Sequence, residues 1–402
     1  MKQIITCNVY KDYNFGGPSI LLGINELLKR VIKEEFNIVN LEARKKSNMK
    51  NSYFPINTIN HALPGKRSLF NCILGGKGVI GIKEIWQNLK KADVVIDLLG
   101  ICFCDNLVQE HMPTWRYIQR ATNVFFISWF AKKICGKSVI KNSASYGPMN
   151  TPYNKKLAYY VCNNIFDVIV AREKKSYSAL ADNGVSVSKV FCSPDVANLM
   201  PYDENTVDHN KISISVSHQI KRQWNSDENY IECVCKLCIY IIDKLNKAVV
   251  LIPNEFAPGV YNDVSIANEI IEKVAEVNQS YLSNIRILHV EKISATEIKN
   301  EISTSEVLIS SRYHSCVAGL SSGTPTLVIG WHYKYDELLM LYNQSKWQIS
   351  HNNCTSTSLI KIFEEFYQYR EANRSIITKA RKKVFKEIIA QGEKMLSLAG
   401  VI

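Results

Sequence analysis

The sequence lacks a long apolar run, which excludes a membrane-spanning helix. A spanning helix needs roughly 18 or more apolar residues in succession. The longest candidate, Val124–Ala131 (VFFISWFA), is followed directly by Lys132 and Lys133. Residues 1–10 (MKQIITCNVY) also lack the charged region and apolar run of a secretory signal peptide. We therefore expect a cytoplasmic protein whose 12 cysteines are reduced thiols.

Internal repeats, low-complexity tracts and dense basic blocks are also missing, which excludes repeat arrays and mostly disordered chains. The tightest basic cluster, Lys379–Lys386 (KARKKVFK), is interpreted as the solvated face of a helix. No stripe of alternating aromatic and basic residues is visible, so we expect no nucleic-acid partner. The excess of 49 Lys and Arg over 37 Asp and Glu still gives a net charge of +12. That charge favours anionic partners such as phosphorylated metabolites or anionic lipid surfaces.

The sequence offers no convincing metal or nucleotide motif. Cys233, Cys235 and Cys238 have a metal-like spacing, but they lie in a helical apolar pattern without a second pair. Buried thiols are the better interpretation. The segment Asn14–Gly17 (NFGG) matches neither a P-loop nor the GxGxxG pattern. We expect neither a metal nor a resident cofactor.

Strand and helix patterns alternate in both halves of the chain, which predicts an α/β protein with two doubly wound, Rossmann-like domains. Ala92–Leu99 (ADVVIDLL) is a nearly continuous apolar run, as expected for a buried parallel strand. Pro201–Asn210 is polar and acidic and is the best candidate for a linker. In such sheets ligands bind at the carboxyl ends of the strands.

The clearest candidate site lies in Ile309–Thr326 (ISSRYHSCVAGLSSGTPT), where a strand leads into a helix that Ser311 can cap. Arg312 and His314 fall at the helix start, where free N–H groups and the helix dipole attract anions. Arginine adds a planar fork that suits a carboxylate or a phosphate. The alternative is a capped helix that carries a surface arginine and a packed histidine.

A second cationic segment, Gly330–Leu338 (GWHYKYDEL), follows the next strand along the chain. It brings His332 and Lys334 to a neighbouring strand end, so the two segments together predict a cationic pocket. On its own, a Trp-His-Tyr run is typical of a packed loop.

Five further residues are candidates from their positions after predicted strands: Asn14, Gly16, Asp97, Arg172 and Asp195. The two at the N-terminus lie in a turn whose glycines permit close backbone approach to a ligand. A plain tight turn, a surface ion pair for Arg172 and a helix cap for Asp195 are the alternatives.

Together these segments resemble the polysaccharide pyruvyl transferase family. The match centres on Ile309–Leu339, with weaker similarity at Asn14–Leu28, Ala92–Gly100 and Val168–Met200. The sequence departs from the family at the N-terminal turn, which reads GGP where an acidic residue commonly follows the glycine. It also lacks a run of glycines after Leu99. Both departures fall in segments that are expected to contact the acceptor.

The resemblance implies a GT-B-like fold with an N-terminal domain over 1–203, a C-terminal domain over 204–370 and a final helix, 371–402, that crosses back. It implies phosphoenolpyruvate as the donor, a sugar as the acceptor and a cyclic pyruvate ketal as the product. It also implies a role in the biosynthesis of a capsular polysaccharide, an exopolysaccharide or a cell-wall glycan.

The resemblance also implies roles for the candidate residues. His314 is the expected acid/base residue, and Arg312 joins it in catalysis. Arg172, Arg312 and Lys334 are the expected anion clamp, with His332 as a further cation. The expected acceptor contacts are Asn14, Gly16, Asp97 and Asp195.

Three alternatives stay open. A glycosyltransferase that uses a nucleotide sugar would share the fold, and Glu337 could contact its ribose. A non-catalytic saccharide-binding protein is the second. The third concerns location: if the acceptor is lipid-linked, Lys379–Lys386 could contact anionic headgroups at the inner face of the membrane.

Overall fold

The computed structural model describes residues 1–10, 12–43, 56–61, 69–76, 78–105 and 114–402. The chain forms two compact units. Unit 1 comprises Met1–Tyr10, Ile24–Val196 and Glu387–Ile402, and unit 2 comprises Lys11–Gly23 and Ala197–Lys386.

Unit 1 contains an eight-stranded sheet. Its strands are β1 (Lys2–Cys7), β2 (Phe36–Ala43), β3 (Asn57–His61), β4 (Val94–Asp97), β5 (Ile101–Cys102), β6 (Ser138–Tyr146), β7 (Val168–Ala171) and β8 (Val190–Cys192). The order is β3-β2-β1-β4-β6-β7-β8, with β5 paired to β6, and these pairs are parallel. The helices are α1 (Gly16–Val31, which begins in unit 2), α2 (Leu69–Leu74), α3 (Ile82–Lys91), α4 (Thr114–Lys133), α5 (Pro152–Asn164) and α6 (Lys174–Asp182).

Burial on both faces explains the apolar strands of unit 1. All four residues of β4 are buried, including its terminal aspartate. Helix α3 shows the complementary helical pattern, since Ile85 and Leu89, four residues apart, are both buried. At its start Glu84 accepts a hydrogen bond from the backbone N–H of Gly81 at 3.0 Å. The sheet is therefore covered by amphipathic helices, as a parallel sheet requires.

Unit 2 contains a six-stranded parallel sheet in the order β11-β10-β9-β12-β13-β14. Its strands are β9 (Asp208–Ser215), β10 (Ala248–Leu251), β11 (Ile285–Ile287), β12 (Ser305–Ser310), β13 (Thr326–Gly330) and β14 (Gln348–Ser350). Its helices are α7 (His218–Gln223), α8 (Tyr230–Leu245), α9 (Asp263–Val277), α10 (Ala295–Ser303), α11 (Tyr313–Ser322), α12 (Lys334–Leu341), α13 (Ser356–Gln368) and α14 (Arg370–Leu398), whose end lies in unit 1.

Local capping explains where several helices of unit 2 begin and end. Ser294 and Glu297 form the predicted capping box at the start of α10. Gly323 ends α11 with φ of 92°, a left-handed conformation that glycine adopts without strain. The expected cap at Ser311 is wrong: the N-cap residue of α11 is Arg312, whose backbone N–H donates to Ser310 Oγ at 3.1 Å. The short link between β12 and α11 thus holds Arg312 at the strand end.

The predicted α/β class with two Rossmann-like parallel sheets is confirmed. The observed division differs from the predicted boundaries, since unit 2 begins at Ala197 and also takes in Lys11–Gly23. Backbone pairing explains that inclusion, because Phe15 N–H donates to Asn254 O and Phe256 N–H donates to Tyr13 O, each at 2.9 Å. No described helix combines the length and apolarity needed to cross a bilayer.

Candidate functional site

The carboxyl edge of the unit 2 sheet gathers six of the nine predicted site residues into one region: Asn14, Gly16, Arg312, His314, His332 and Lys334. Parallel strands end on the same side, so the loops after β9, β10, β12 and β13 meet there. Asn254, after β10, donates to Ser215 Oγ at 2.9 Å and to Ser315 Oγ at 2.7 Å. These two bonds connect the loop after β10 to the end of β9 and to helix α11.

Arg312 is held by a buried carboxylate that sequence reasoning missed. Its Nε donates to Asp263 Oδ2 at 2.8 Å, and its Nη2 donates to Asp263 Oδ1. The same Nη2 lies 3.3 Å from Glu255 Oε2. Two carboxylates therefore contact one edge of the guanidinium group. The bidentate pairing with Asp263 fixes the orientation of that group.

Asp263 is the hub of this arrangement. It lies at the first turn of α9, and its side chain is fully buried. The backbone N–H groups of Asn254 and Glu255 donate to Oδ2 at 3.0 Å each, and that of His218 donates to Oδ1 at 2.8 Å. Burial alone would raise the pKa of Asp263, but the charge of Arg312 and these hydrogen bonds outweigh it and lower the pKa. The carboxylate is therefore ionised at neutral pH.

His314 lies directly against the start of helix α1. A Cβ atom at Gly16 would stand 2.5 Å from His314 Nδ1 and 2.9 Å from Cε1, so only glycine fits there with the ring as placed. Asn14 Oδ1 accepts a hydrogen bond from Gly17 N–H at 2.7 Å and shapes the same turn. The N-terminal turn and the His314 ring thus form one structure within unit 2.

Lys334 is surrounded by aromatic rings. Its Nζ lies 5.0 Å from the ring centroid of Trp331, 5.4 Å from that of Tyr313 and 5.5 Å from that of Tyr335. Tyr313 is the residue between Arg312 and His314 in the sequence. Cation–π contacts of this kind hold a cation in place while leaving its positive charge intact.

His332 lies in the same loop as Lys334. Its Nδ1 accepts a hydrogen bond from the backbone N–H of Lys334 at 3.3 Å, and its ring lies 4.2 Å from that of Tyr333. The histidine therefore contributes to the turn that begins α12.

In unit 1 the structure joins two of the predicted site residues, Arg172 and Asp195. Arg172 Nη1 donates to Asp195 Oδ2 at 2.6 Å, and its Nε donates to Glu173 Oε1 at 2.8 Å. Ser176 Oγ donates to Glu173 Oε2 at 2.7 Å. The Arg-Glu-x-x-Ser segment and Asp195 therefore form a single buried network after β7 and β8.

Asp97 is fully buried at the end of β4 and is paired within unit 1. Its Oδ1 lies 3.2 Å from the Nζ of Lys141, which is equally buried. Ser128 Oγ and Asn8 Nδ2 donate to its Oδ2 at 2.6 Å and 2.5 Å. These bonds supply the partners that a buried charge pair requires. The roles assigned to all nine site residues stay predictions.

Glu255, Asp263 and His218 are the functional candidates that sequence reasoning did not find. Each follows a strand of unit 2, which is the one signal the sequence carried, but nothing in the sequence pairs them with Arg312. His218 Nδ1 lies 3.1 Å from Asp263 Oδ1 and 3.0 Å from Arg312 Nη2. In the parts of the chain that the structure describes, no group of three or more His, Cys, Asp or Glu side chains could hold a metal ion.

Comparison with solved structures defines the class of fold. The structure resembles HepE of Anabaena in complex with UDP and glucose, with a TM-score of 0.58, 8% identity and coverage of 99% of this chain and 98% of that one. It resembles a putative UDP-N-acetylglucosamine 2-epimerase from Listeria monocytogenes with a TM-score of 0.60, 10% identity and 98% coverage of both chains. An epimerase from Neisseria meningitidis bound to UDP-GlcNAc gives 0.58 and 12%, covering 99% and 100%. At such identities the likeness shows the fold alone, which is GT-B-like.

Within that class, the sequence itself identifies the family. The model of the polysaccharide pyruvyl transferase family matches residues 14–333, which is most of the chain. The protein therefore belongs to the polysaccharide pyruvyl transferase family. No curated protein matches the sequence.

Proposed function

We propose that this protein transfers the pyruvyl group of phosphoenolpyruvate to two hydroxyls of a saccharide, forming a cyclic ketal and releasing phosphate. The observation that carries the proposal is the grouping of Arg312, His314 and Lys334 at one sheet edge in a chain of this family. Phosphoenolpyruvate carries a carboxylate and a phosphate, so its site needs several fixed cations.

The geometry supports a role for Arg312 and Lys334 in binding the anionic groups of the donor. Asp263 holds Arg312 in one orientation, and the rings of Tyr313, Trp331 and Tyr335 surround the Lys334 ammonium group. Fixed cations need no reorganisation when the phosphate leaves, which is how preorganised charge lowers a barrier. Arg172 is proposed to contribute to donor binding from its own network in unit 1.

The proton chemistry falls to His314 in this proposal. Protonation of the donor's methylene carbon makes C2 electron-poor, and a sugar hydroxyl attacks C2 and loses its proton. The C2–O bond to phosphate then breaks, and a second hydroxyl adds to C2 and loses its proton in turn. One of the two hydroxyl protons replaces the proton placed on the methylene carbon, and the other leaves with phosphate. An imidazole can both give and accept protons near neutral pH.

The test is incubation with phosphoenolpyruvate and candidate saccharides. Phosphate release that depends on the acceptor, with an acceptor mass increase equal to a pyruvyl ketal, is the expected result. His314→Ala should abolish both signals, with Lys292→Met, an exposed lysine in unit 2, as the control variant.

A nucleotide-sugar glycosyltransferase is the second candidate, favoured by the UDP-binding enzymes among the structural neighbours. The same incubation with UDP-sugars separates the two functions. Release of UDP without release of phosphate would reject phosphoenolpyruvate as the donor.

The acceptor is proposed to be lipid-linked, and the contact surface to be the exposed side of α14. Lys379, Lys382, Lys383 and Lys386 are exposed there, while Val384 is buried. Such a face attracts anionic headgroups by about 1 kcal/mol per lysine. Sedimentation with phosphatidylglycerol vesicles should show binding that weakens with salt, and replacing these four lysines with glutamate should abolish it.

A further inference from the structure

We propose that Glu255 is an exchangeable anion on Arg312, which an anionic group of the donor displaces when it binds. The two carboxylates at Arg312 differ sharply in how they are held, and this difference is the basis of the inference. The inference rests on the proposed function, because the donor named there is the anion that would displace Glu255.

Asp263 is a permanent partner of Arg312. Its side chain is fully buried, and it takes two bonds from Arg312 in addition to three from backbone N–H groups. Removing it would leave a largely buried arginine without its main counter-charge, which is strongly unfavourable.

Glu255 is held much more loosely. Its side chain is 40% exposed, and its carboxylate meets Arg312 Nη2 at 3.3 Å and His218 Nδ1 at 3.6 Å. Exposed ion pairs of this kind contribute little, typically less than 1 kcal/mol. A carboxylate or phosphate with better geometry can therefore replace it.

The backbone of Glu255 stays fixed while its side chain can turn. The backbone N–H donates to Asp263 Oδ2 at 3.0 Å, and Glu255 forms an antiparallel bridge with Asn14 in the N-terminal turn. Rotation about the side-chain bonds is thus enough to release Arg312, with no rearrangement of the strand end.

The balance of charges around Arg312 explains why Glu255 must leave the guanidinium group when the donor binds. One guanidinium faces two carboxylates here, so a donor group arriving at Arg312 meets repulsion as long as Glu255 stays in contact. Glu255 thereby weakens the binding of any anion at Arg312. It favours donors whose anionic groups bind Arg312 more strongly than the Glu255 carboxylate does.

The test measures binding of phosphoenolpyruvate and, separately, of UDP to wild type, Glu255→Gln and Glu255→Ala. Both variants should lower the dissociation constant by about two- to fivefold at low salt, and the gain should shrink as salt rises. Glu272→Gln removes the same charge from an exposed position on α9 and should leave both dissociation constants unchanged.

Each result decides the inference. Unchanged or weaker anion binding in both variants would overturn it. A loss of turnover of about a hundredfold or more with unchanged binding would also overturn it, since that pattern marks a proton-transferring carboxylate. If wild type binds UDP but not phosphoenolpyruvate, the proposed function fails, and tighter UDP binding by the variants would still support the exchange.

Discussion

At the scale of single residues, the site depends on how closely two chain segments approach one another. The absence of a side chain at Gly16 lets the His314 ring lie against the start of α1. A spacing rule cannot reveal this, because the two residues are far apart in sequence and meet only in the folded unit. Asp263 could not be recognised from the sequence either. A carboxylate at a helix start is common, and its hydrogen bond to Arg312 is a tertiary contact that forms only in the folded unit.

We predict that Gly16→Ala destabilises the protein by about 1–3 kcal/mol, the usual range for overpacking. The added Cβ would stand 2.5 Å from His314 Nδ1. In a His314→Ala background the ring is gone, so the same substitution should cost much less. Urea unfolding of the two single variants and the double variant measures this coupling. Strictly additive effects would contradict the close contact.

We predict that Asp263→Asn lowers the free energy of unfolding by about 3–5 kcal/mol at pH 7, because it breaks a buried charge pair. The folded-state pKa of Asp263 lies below its ordinary value of 3.8. Its contribution is therefore fully present above that value and is lost as the pH falls through the lower, folded-state pKa. Chemical unfolding between pH 7 and pH 3 should show a steeper loss in wild type than in the variant. Asp227→Asn, at an exposed position, should leave the profile unchanged.

At the scale of helices and strands, the sequence predicted the two strand ends of unit 2 that carry Arg312 and Lys334. The apolar runs of β12 and β13 and the glycine at the end of α11 are local signals, so they place Arg312 and Lys334 at strand ends. Strand β2 (FNIVNLEA) was missed because its polar residues interrupt the apolar run. Buried Asn40 in that strand finds a partner in Thr6 of β1 at 3.0 Å, which only the tertiary structure supplies.

Helix α10 supports a prediction at this scale through Lys299, which is fully buried. Its Nζ donates to Met200 O at 2.7 Å and lies 4.9 Å from the ring centroid of Tyr202. Burial, assisted by the charge of Arg381, lowers the pKa of Lys299 from 10.5 to about 7. Between these two values the unfolded chain holds more protons than the folded one, so stability should rise with pH.

Lys299→Met should remove that rise. Urea unfolding at pH 7 and pH 9 gives the comparison, with Lys292→Met as an exposed control. A wild-type protein that gains no stability relative to Lys299→Met between the two pH values would contradict the prediction.

At the scale of the whole molecule, the two units draw on non-contiguous pieces of the chain, and here the sequence could say least. The predicted boundary lay between residues 203 and 204, within the linker candidate Pro201–Asn210, whereas unit 2 begins at Ala197 and also includes the N-terminal turn. The turn joins unit 2 through backbone bonds of Tyr13 and Phe15, which leave no mark on composition. The final segment, Glu387–Ile402, belongs to unit 1 because its apolar side chains are buried there.

That packing allows the stability of the two units to be separated. Ile388, Met395, Leu396 and Val401 are all buried, and Val401 O accepts a hydrogen bond from Lys2 Nζ. Gly392 lies so close to Leu27 that a Cβ would stand 2.5 Å from its Cδ1. Burial of each large apolar side chain contributes about 1.5–3 kcal/mol, so the segment contributes an amount comparable to the whole net stability of a domain.

We therefore predict that a chain ending at Lys386 loses protection in unit 1 and keeps it in unit 2. Hydrogen exchange should become faster in β1, β4 and β6, while β9, β12 and β13 exchange as in the full chain. Leu396→Ala should give the same pattern more weakly, since it removes one buried side chain and no backbone. Equal loosening of both sheets would mean that the segment stabilises the protein as a single cooperative body, and the division into units would then have no energetic meaning.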